Sequence, residues 1–306
     1  MTDRAAELQE IFDRAGCQGA LCVRPLTGDA EIGLRPAEPV VPASVVKVQI
    51  ALEAETWFAD GRLDPRERVP LRAAARTPGP VGTSLFEDDT VISLRDMVTL
   101  ALTISDNHTA DTLLRRTGVA AVNATAARLG LAATVVESDL AAMLDSMGRE
   151  LGRAGWEDLV TWSAGAPPEE VARAERRLPG CRALDPARGT RTTPRDMTEL
   201  LRLIWSDAAG PAAACARVRA LMGRQLTRHR IASGFRQPVR VAAKSGGLAG
   251  VVRNEVGVIT CPDGGRYAAA VFTRSEPGAD DAAINAAIGA AAARAVALLR
   301  DGAGQG

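Results

Sequence analysis

Ala43-Ser44-Val45-Val46-Lys47-Val48-Gln49-Ile50-Ala51-Leu52, running on to Phe58, joins a strongly apolar segment to a serine and a lysine three residues apart. The segment is apolar on nearly every side, so it predicts a helix buried all round. Ser44 and Lys47 then share one face at the start of that helix. Unpaired backbone N–H groups at a helix start favour an oxyanion developing beside Ser44. Lys47 stands among Val45, Val46, Val48 and Ile50, where desolvation disfavours its ammonium form. A lysine depressed in this way can activate a neighbouring hydroxyl as a nucleophile. The plain alternative is an N-cap serine beside a snorkelling lysine, and Ser-x-x-Lys alone does not choose between the two.

The rest of the chain bears on that choice. Of its 37 basic residues only Lys47 and Lys244 are lysine; the other 35 are arginine. Lysine can lose its proton when desolvated and act as a base, whereas guanidinium cannot. Two further clusters carry chemistry. Ser105-Asp106-Asn107 follows an apolar helix predicted over 94–104, N-capped by Ser93. A serine there can relay a proton and an asparagine amide can orient a lysine or a carbonyl. Read alone, the triplet is equally a helix–helix turn. Lys244-Ser245-Gly246, followed by Gly247, ends a predicted strand; a lysine, a hydroxyl and two bare backbone positions suit a carboxylate and close approach, or merely an edge-strand end.

Together the three clusters resemble the Ser-x-x-Lys, Ser-Asp-Asn and Lys-Thr/Ser-Gly set of class A β-lactamases and penicillin-binding proteins, in the same order. The similarity extends to Arg191-Thr192-Thr193-Pro194, to Met222…Gln225…Arg230-Ile231-Ala232-Ser233-Gly234, and to Arg253 nine residues after Lys244. The resemblance implies Ser44 as nucleophile, Lys47 as base and Ser105 as proton shuttle. It implies Asn107 as a substrate-orienting group and the N–H groups of Ser44 and Gly247 as the oxyanion hole. Lys244, Ser245, Gly246 and Arg253 would hold a substrate carboxylate. The family's Glu-x-x-Leu-Asn deacylation motif is incomplete, because no Asn lies between Asn123 and Asn254. Glu137-Ser138-Asp139-Leu140 comes nearest, which makes Glu137 the candidate base, with Asp139 and Asp145 as rivals. The interval from Ser105 to Pro194 is roughly three dozen residues longer than in the family, in the region of the omega loop.

Around these motifs, a helix over 2–15 precedes two strands near 20–23 and 30–34, joined at Thr27-Gly28-Asp29. Residues 66–90 read as a loop, and helices fit 109–117, 120–130, 139–160, Pro194–Trp205 and 211–226. The stretch 164–190, rich in Pro and Gly, reads as loop. Strands return at 239–243, 251–259 and 266–273, and an Ala-rich helix covers 281–300. The expected fold is α+β: an antiparallel sheet from both chain ends, flanked by helices, plus an all-helical lobe. The sheet lobe would comprise 1–40 and 220–306, and the helical lobe 41–219 with an enlarged omega region at about 137–193.

Net charge is zero, with no basic run, so neither nucleic acid nor an anionic membrane is an expected partner. The expected partner is a small molecule bearing a carboxylate, with no protein partner. No cofactor or metal is expected: the five cysteines and two histidines show no ligand spacing. No apolar stretch reads as a signal peptide or as long enough to span a bilayer, so the chain reads as cytoplasmic, or secreted if it is a processed form. The expected activity is hydrolysis of a β-lactam or related amide, as in antibiotic resistance. The alternatives are a cytoplasmic esterase, amidase or acyltransferase of secondary metabolism, a cell-wall D,D-peptidase, or a penicillin sensor acylated once.

Overall fold

The computed structural model describes residues 3–303. The chain opens with α1 (Asp3–Arg14), β1 (Cys17–Pro25) and β2 (Ile32–Leu34). A one-turn 3-10 helix, Ala43–Val46, leads into α2 (Lys47–Ala59). β3 (Arg68–Leu71), β4 (Thr90–Ser93), α3 (Leu94–Thr103), α4 (Asn107–Thr117) and α5 (Val119–Arg128) follow. Next come α6 (Leu140–Glu150), α7 (Trp156–Gly165), α8 (Pro168–Arg177), α9 (Pro194–Trp205) and α10 (Ala212–Met222). The chain closes with β5 (Arg240–Leu248), β6 (Val252–Thr260), β7 (Arg266–Ser275) and α11 (Asp281–Ala303).

The expected sheet from both chain ends forms. Its order is β2-β1-β7-β6-β5, antiparallel throughout, with Leu21 opposite both Leu34 and Val271. Side chains alternate across it. Val256, Val258, Ala268, Ala270 and Phe272 face the helical lobe, where Val48, Met197, Leu201 and Val218 meet them in one core. Ile259, Ala269 and Val271 face the other way, against Leu8 and Phe12 of α1 and Ile284, Ile288 and Ala292 of α11. Both faces are covered, so the strands read as apolar runs instead of alternating patterns. Helix α11 is long and apolar enough by composition to cross a membrane, contrary to the expectation that no stretch is. Its composition has another cause here: one face is core packing against the sheet.

Helix α2 is the centre of the helical lobe, with Lys47 through Glu55 all buried. The segment expected to be a loop at 66–90 instead carries a two-stranded ribbon, β3 with β4, Val69 opposite Ile92. Pro70 on β3 obscures the strand pattern; it sits on an edge, where no N–H is required. The region read as one helix over 139–160 breaks into α6 and α7 at Gly152 and Gly155, and the Pro-rich loop holds α8. Pro168 starts α8, where a missing N–H costs nothing.

The enlarged omega region is pinched off at its base. Val135 and Arg191 exchange two backbone hydrogen bonds of 2.9 Å, and Val40 bridges Thr192. Beyond the pinch, Leu144 and Met147 of α6 and Leu151 just after it pack with Cys181 and Leu184 against Ala43, Leu248 and Val252. A cavity of about 300 Å³ lies between this region, the start of α2 and β5.

Candidate active site

Ser44 sits in the 3-10 turn, and the α-helix begins only at Lys47. No side-chain cap bond is made at the start of the turn or of α2, so the serine's hydroxyl is not spent as a cap. Two devices hold the turn. Asn254 on β6 donates from Nδ2 to the carbonyls of Val41 at 2.9 Å and Pro42 at 3.2 Å. Gly246 on β5 lies so close that a Cβ there would stand 2.7 Å from Pro42 O and 3.2 Å from Ser44 N. Ala43, just before the serine, carries a φ of +49°, a region L-residues occupy at a cost.

Lys47 is fully buried one turn below. Its Nζ donates to Ser105 O at 2.6 Å and Asn107 Oδ1 at 2.6 Å, with Ser105 Oγ at 3.2 Å. Burial pulls its pKa down to about 7, against the opposing pull of the Asp106 and Asp111 carboxylates. Ser105 reaches the lysine because the α3–α4 turn passes through a φ of +65° at that residue. Asp106 N-caps α4, accepting from Thr109 N at 3.0 Å, and also binds Thr83 N at 2.6 Å. Asn107 completes its amide by donating to Pro78 O at 2.7 Å.

The β5 side adds a second buried lysine. Lys244 Nζ donates to Ser245 O at 2.7 Å; burial first, then the charge of Lys47, holds its pKa well below the usual lysine range. Behind the strand, Gln225 bonds to Ser245 N and, at 3.0 Å, to the buried Glu255 carboxyl, whose pKa burial raises. Ser44, Ser105, Asn107, Ser245, Gly246 and Gly247 all line the one cavity. Lys47 and Lys244 lie directly behind them.

Two expected residues stand elsewhere. Arg253 does not line the cavity; its guanidinium pairs with Asp281 at the start of α11. Arg230, in the segment from Met222 to Gly234, takes a place on the wall. Its Nη1 donates to Gly246 O at 2.6 Å and Asn254 O at 2.7 Å, and its Nε to Asn285 at 2.9 Å. A burial signal was present, since Arg230 is followed by the apolar Ile231-Ala232.

Glu137 is also outside. Its neighbours Val136 and Ser138 line the cavity, and Glu137 does not. Its carboxylate lies 3.5 Å from Arg191 and 3.7 Å from Arg182. Of the rivals, Asp145 accepts from Trp156 N at 3.0 Å, away from the cavity. Asp139 does line it, yet one oxygen caps α6 through Ala142 N at 2.8 Å and the other holds Arg115 at 2.9 Å. Among the described residues, Asp139 is the single carboxylate on the cavity wall.

The sequence profile of the Beta-lactamase enzyme family matches residues 3–299. This chain belongs to that family. Its members are serine hydrolases of the β-lactamase type, which agrees with a serine, two buried lysines and a second serine around one cavity. A "Beta-lactamase regulatory protein BlaB" of Streptomyces cacaoi is 28% identical over 286 residues, covering 90% of each chain. Among solved structures, a β-lactamase from Sphaerobacter thermophilus superposes with a TM-score of 0.74 at 23% identity, over 95% of this chain and 94% of that one. A mutant of PBP-A, an acyl-enzyme complex with penicillin G, gives 0.76 at 19% identity, over 98% and 97%. An ancestral class A β-lactamase gives 0.77 at 19% identity, over 97% and 100%. These likenesses establish the class A β-lactamase fold.

Proposed function

We propose that the protein attacks a β-lactam or related strained amide with Ser44 and forms an acyl-enzyme there. The observation that carries this is the placing of Lys47, with its pKa near 7, between Ser105 and Asn107 beneath a serine free of capping duty. In the step proposed, Lys47 takes the Ser44 proton as Oγ adds to the carbonyl carbon. The backbone N–H groups of Ser44 and Gly247, two residues of the cavity wall, would hold the oxyanion. The C–N bond then breaks, and Ser105 passes a proton to the departing nitrogen. Arg230 and Ser245, on the cavity wall, would meet a substrate carboxylate, with Lys244 behind Ser245. Hydrolysis would be completed by water adding to the acyl carbonyl and releasing Ser44.

A second reading has its own support: an acyl-enzyme that persists. Glu137 lies outside the cavity and Asp139 is engaged by Arg115 and a helix cap, so activation of the deacylating water is weak. A relative named as a regulatory protein fits that behaviour, as does transfer of the acyl group to an acceptor other than water.

Intact-protein mass during turnover of a chromogenic cephalosporin separates these readings. Rapid colour with little adduct supports a resistance-type hydrolase. A lasting single-acyl adduct, lost in Ser44→Ala, supports the sensor or transferase. Neither colour nor adduct would remove β-lactams as substrates.

A further inference from the structure

We propose that a cavity at the far end of α2 binds a small molecule carrying a primary ammonium group on an apolar body, with Glu55 as the acceptor. The cavity holds about 560 Å³ between α2, the start of α3 and α10. It lies apart from the Ser44 cavity, since Glu55 stands two turns, about 12 Å, beyond Lys47 on α2. Glu55 lines it and is only 8% exposed, and its Oε1 has no hydrogen-bond partner among the described residues. A buried acceptor left in that condition costs free energy that an incoming donor recovers.

The neighbouring cations leave that place open. Arg217 on α10 approaches Glu55 only to 3.8 Å through Nε, and its Nη2 donates to Thr99 Oγ1 at 3.1 Å. Arg95 on α3 also lines the cavity but is exposed to water. Asp96 beside it, accepting from Ser93 Oγ at 2.5 Å, adds a second carboxylate to the wall. Burial raises the Glu55 pKa to about 7, with Arg217 opposing, so an ammonium group arriving there also favours the charged carboxylate. Phe58, Pro65 and Ala214 supply apolar wall, against which the ligand's body leaves water.

The test is an NMR titration of the full chain with 2-phenylethylamine at pH 8. Saturable shifts should map to α2 and α10 around Glu55, with a Kd of about 1 mM or tighter. Neutral 2-phenylethanol should bind about tenfold more weakly. Glu55→Gln keeps the shape and removes the charge, while Ala213→Phe fills the exposed side of the cavity. Each should weaken amine binding by about tenfold or more. Binding should also weaken from pH 8 to pH 6, as Glu55 takes up a proton. Undiminished binding in either variant, equal affinity for amine and alcohol, or equal binding at both pH values would overturn Glu55 as the acceptor. Tighter binding of 3-phenylpropionate would give the cavity to an anion held by Arg95 and Arg217 and overturn the proposal. No saturable shift, or shifts confined to the Ser44 cavity, would overturn the site itself. Acylation at Ser44 stands or falls separately from all of these.

Discussion

Ser105 turns its backbone carbonyl onto Lys47, 2.6 Å from Nζ, while Asn107 accepts a second N–H at 2.6 Å. A neutral amine has two N–H groups, and both are spent on these acceptors. In the ammonium form the third N–H goes to Ser105 Oγ at 3.2 Å. Burial, opposed by the Asp106 and Asp111 carboxylates, brings Lys47 toward the neutral form a general base requires.

Acylation should therefore rise with pH through about 7 and level off, because Lys47 loses its proton there. Lys47→Arg should abolish it, since guanidinium stays charged. Asp106→Asn should move the inflection to lower pH, because the Asp106 carboxylate favours the lysine's charged form. Stopped-flow acylation rates between pH 5 and 9 check all three.

Stability should follow the same group. In the window between about 7 and the ordinary 10.5 of lysine, the unfolded chain binds a proton that buried Lys47 does not. Stability contributed by this site therefore increases as pH rises through that window. Lys244, shifted in the same direction, adds to the trend. Urea midpoints from pH 7 to 9 should climb less steeply in Lys47→Met than in the native chain.

Gly246→Ala should cut acylation by about a hundredfold and cost about 1–3 kcal/mol. The new Cβ would sit 2.7 Å from Pro42 O and push the turn that holds Ser44. Acylation kinetics and denaturant titration measure the two effects separately.

Glu137→Gln should leave acylation and deacylation within about twofold of native values and stability within about 1 kcal/mol. Its carboxylate serves a half-exposed pair of arginines, not the cavity. A large fall in deacylation alone would restore it as the water-activating base.

The sheet and the lysines were legible from local signals. Two lysines in a chain that otherwise uses arginine marked the two buried cations beside the cavity. Apolar runs at both ends marked a sheet covered on two faces. What the sequence could not convey depended on side-chain direction and on distant partners. Glu137 fits the motif by count, yet its carboxylate lies beside Arg191 and Arg182, outside the cavity. Arg253 fits by spacing, yet Asp281, 28 positions further on, captures it. Arg230 reaches the cavity only because β5, β6 and α11 converge on it. The ribbon of β3 and β4 was masked by Pro70, and the helices of the omega region by the prolines and glycines that cap and separate them.

The most direct test of the central claim is peptide mapping after incubation with benzylpenicillin. The acyl group is predicted on the peptide ending at Lys47, at Ser44, and should be absent in Ser44→Ala. An adduct on any other residue, or an undiminished adduct in Ser44→Ala, would contradict Ser44 as the nucleophile.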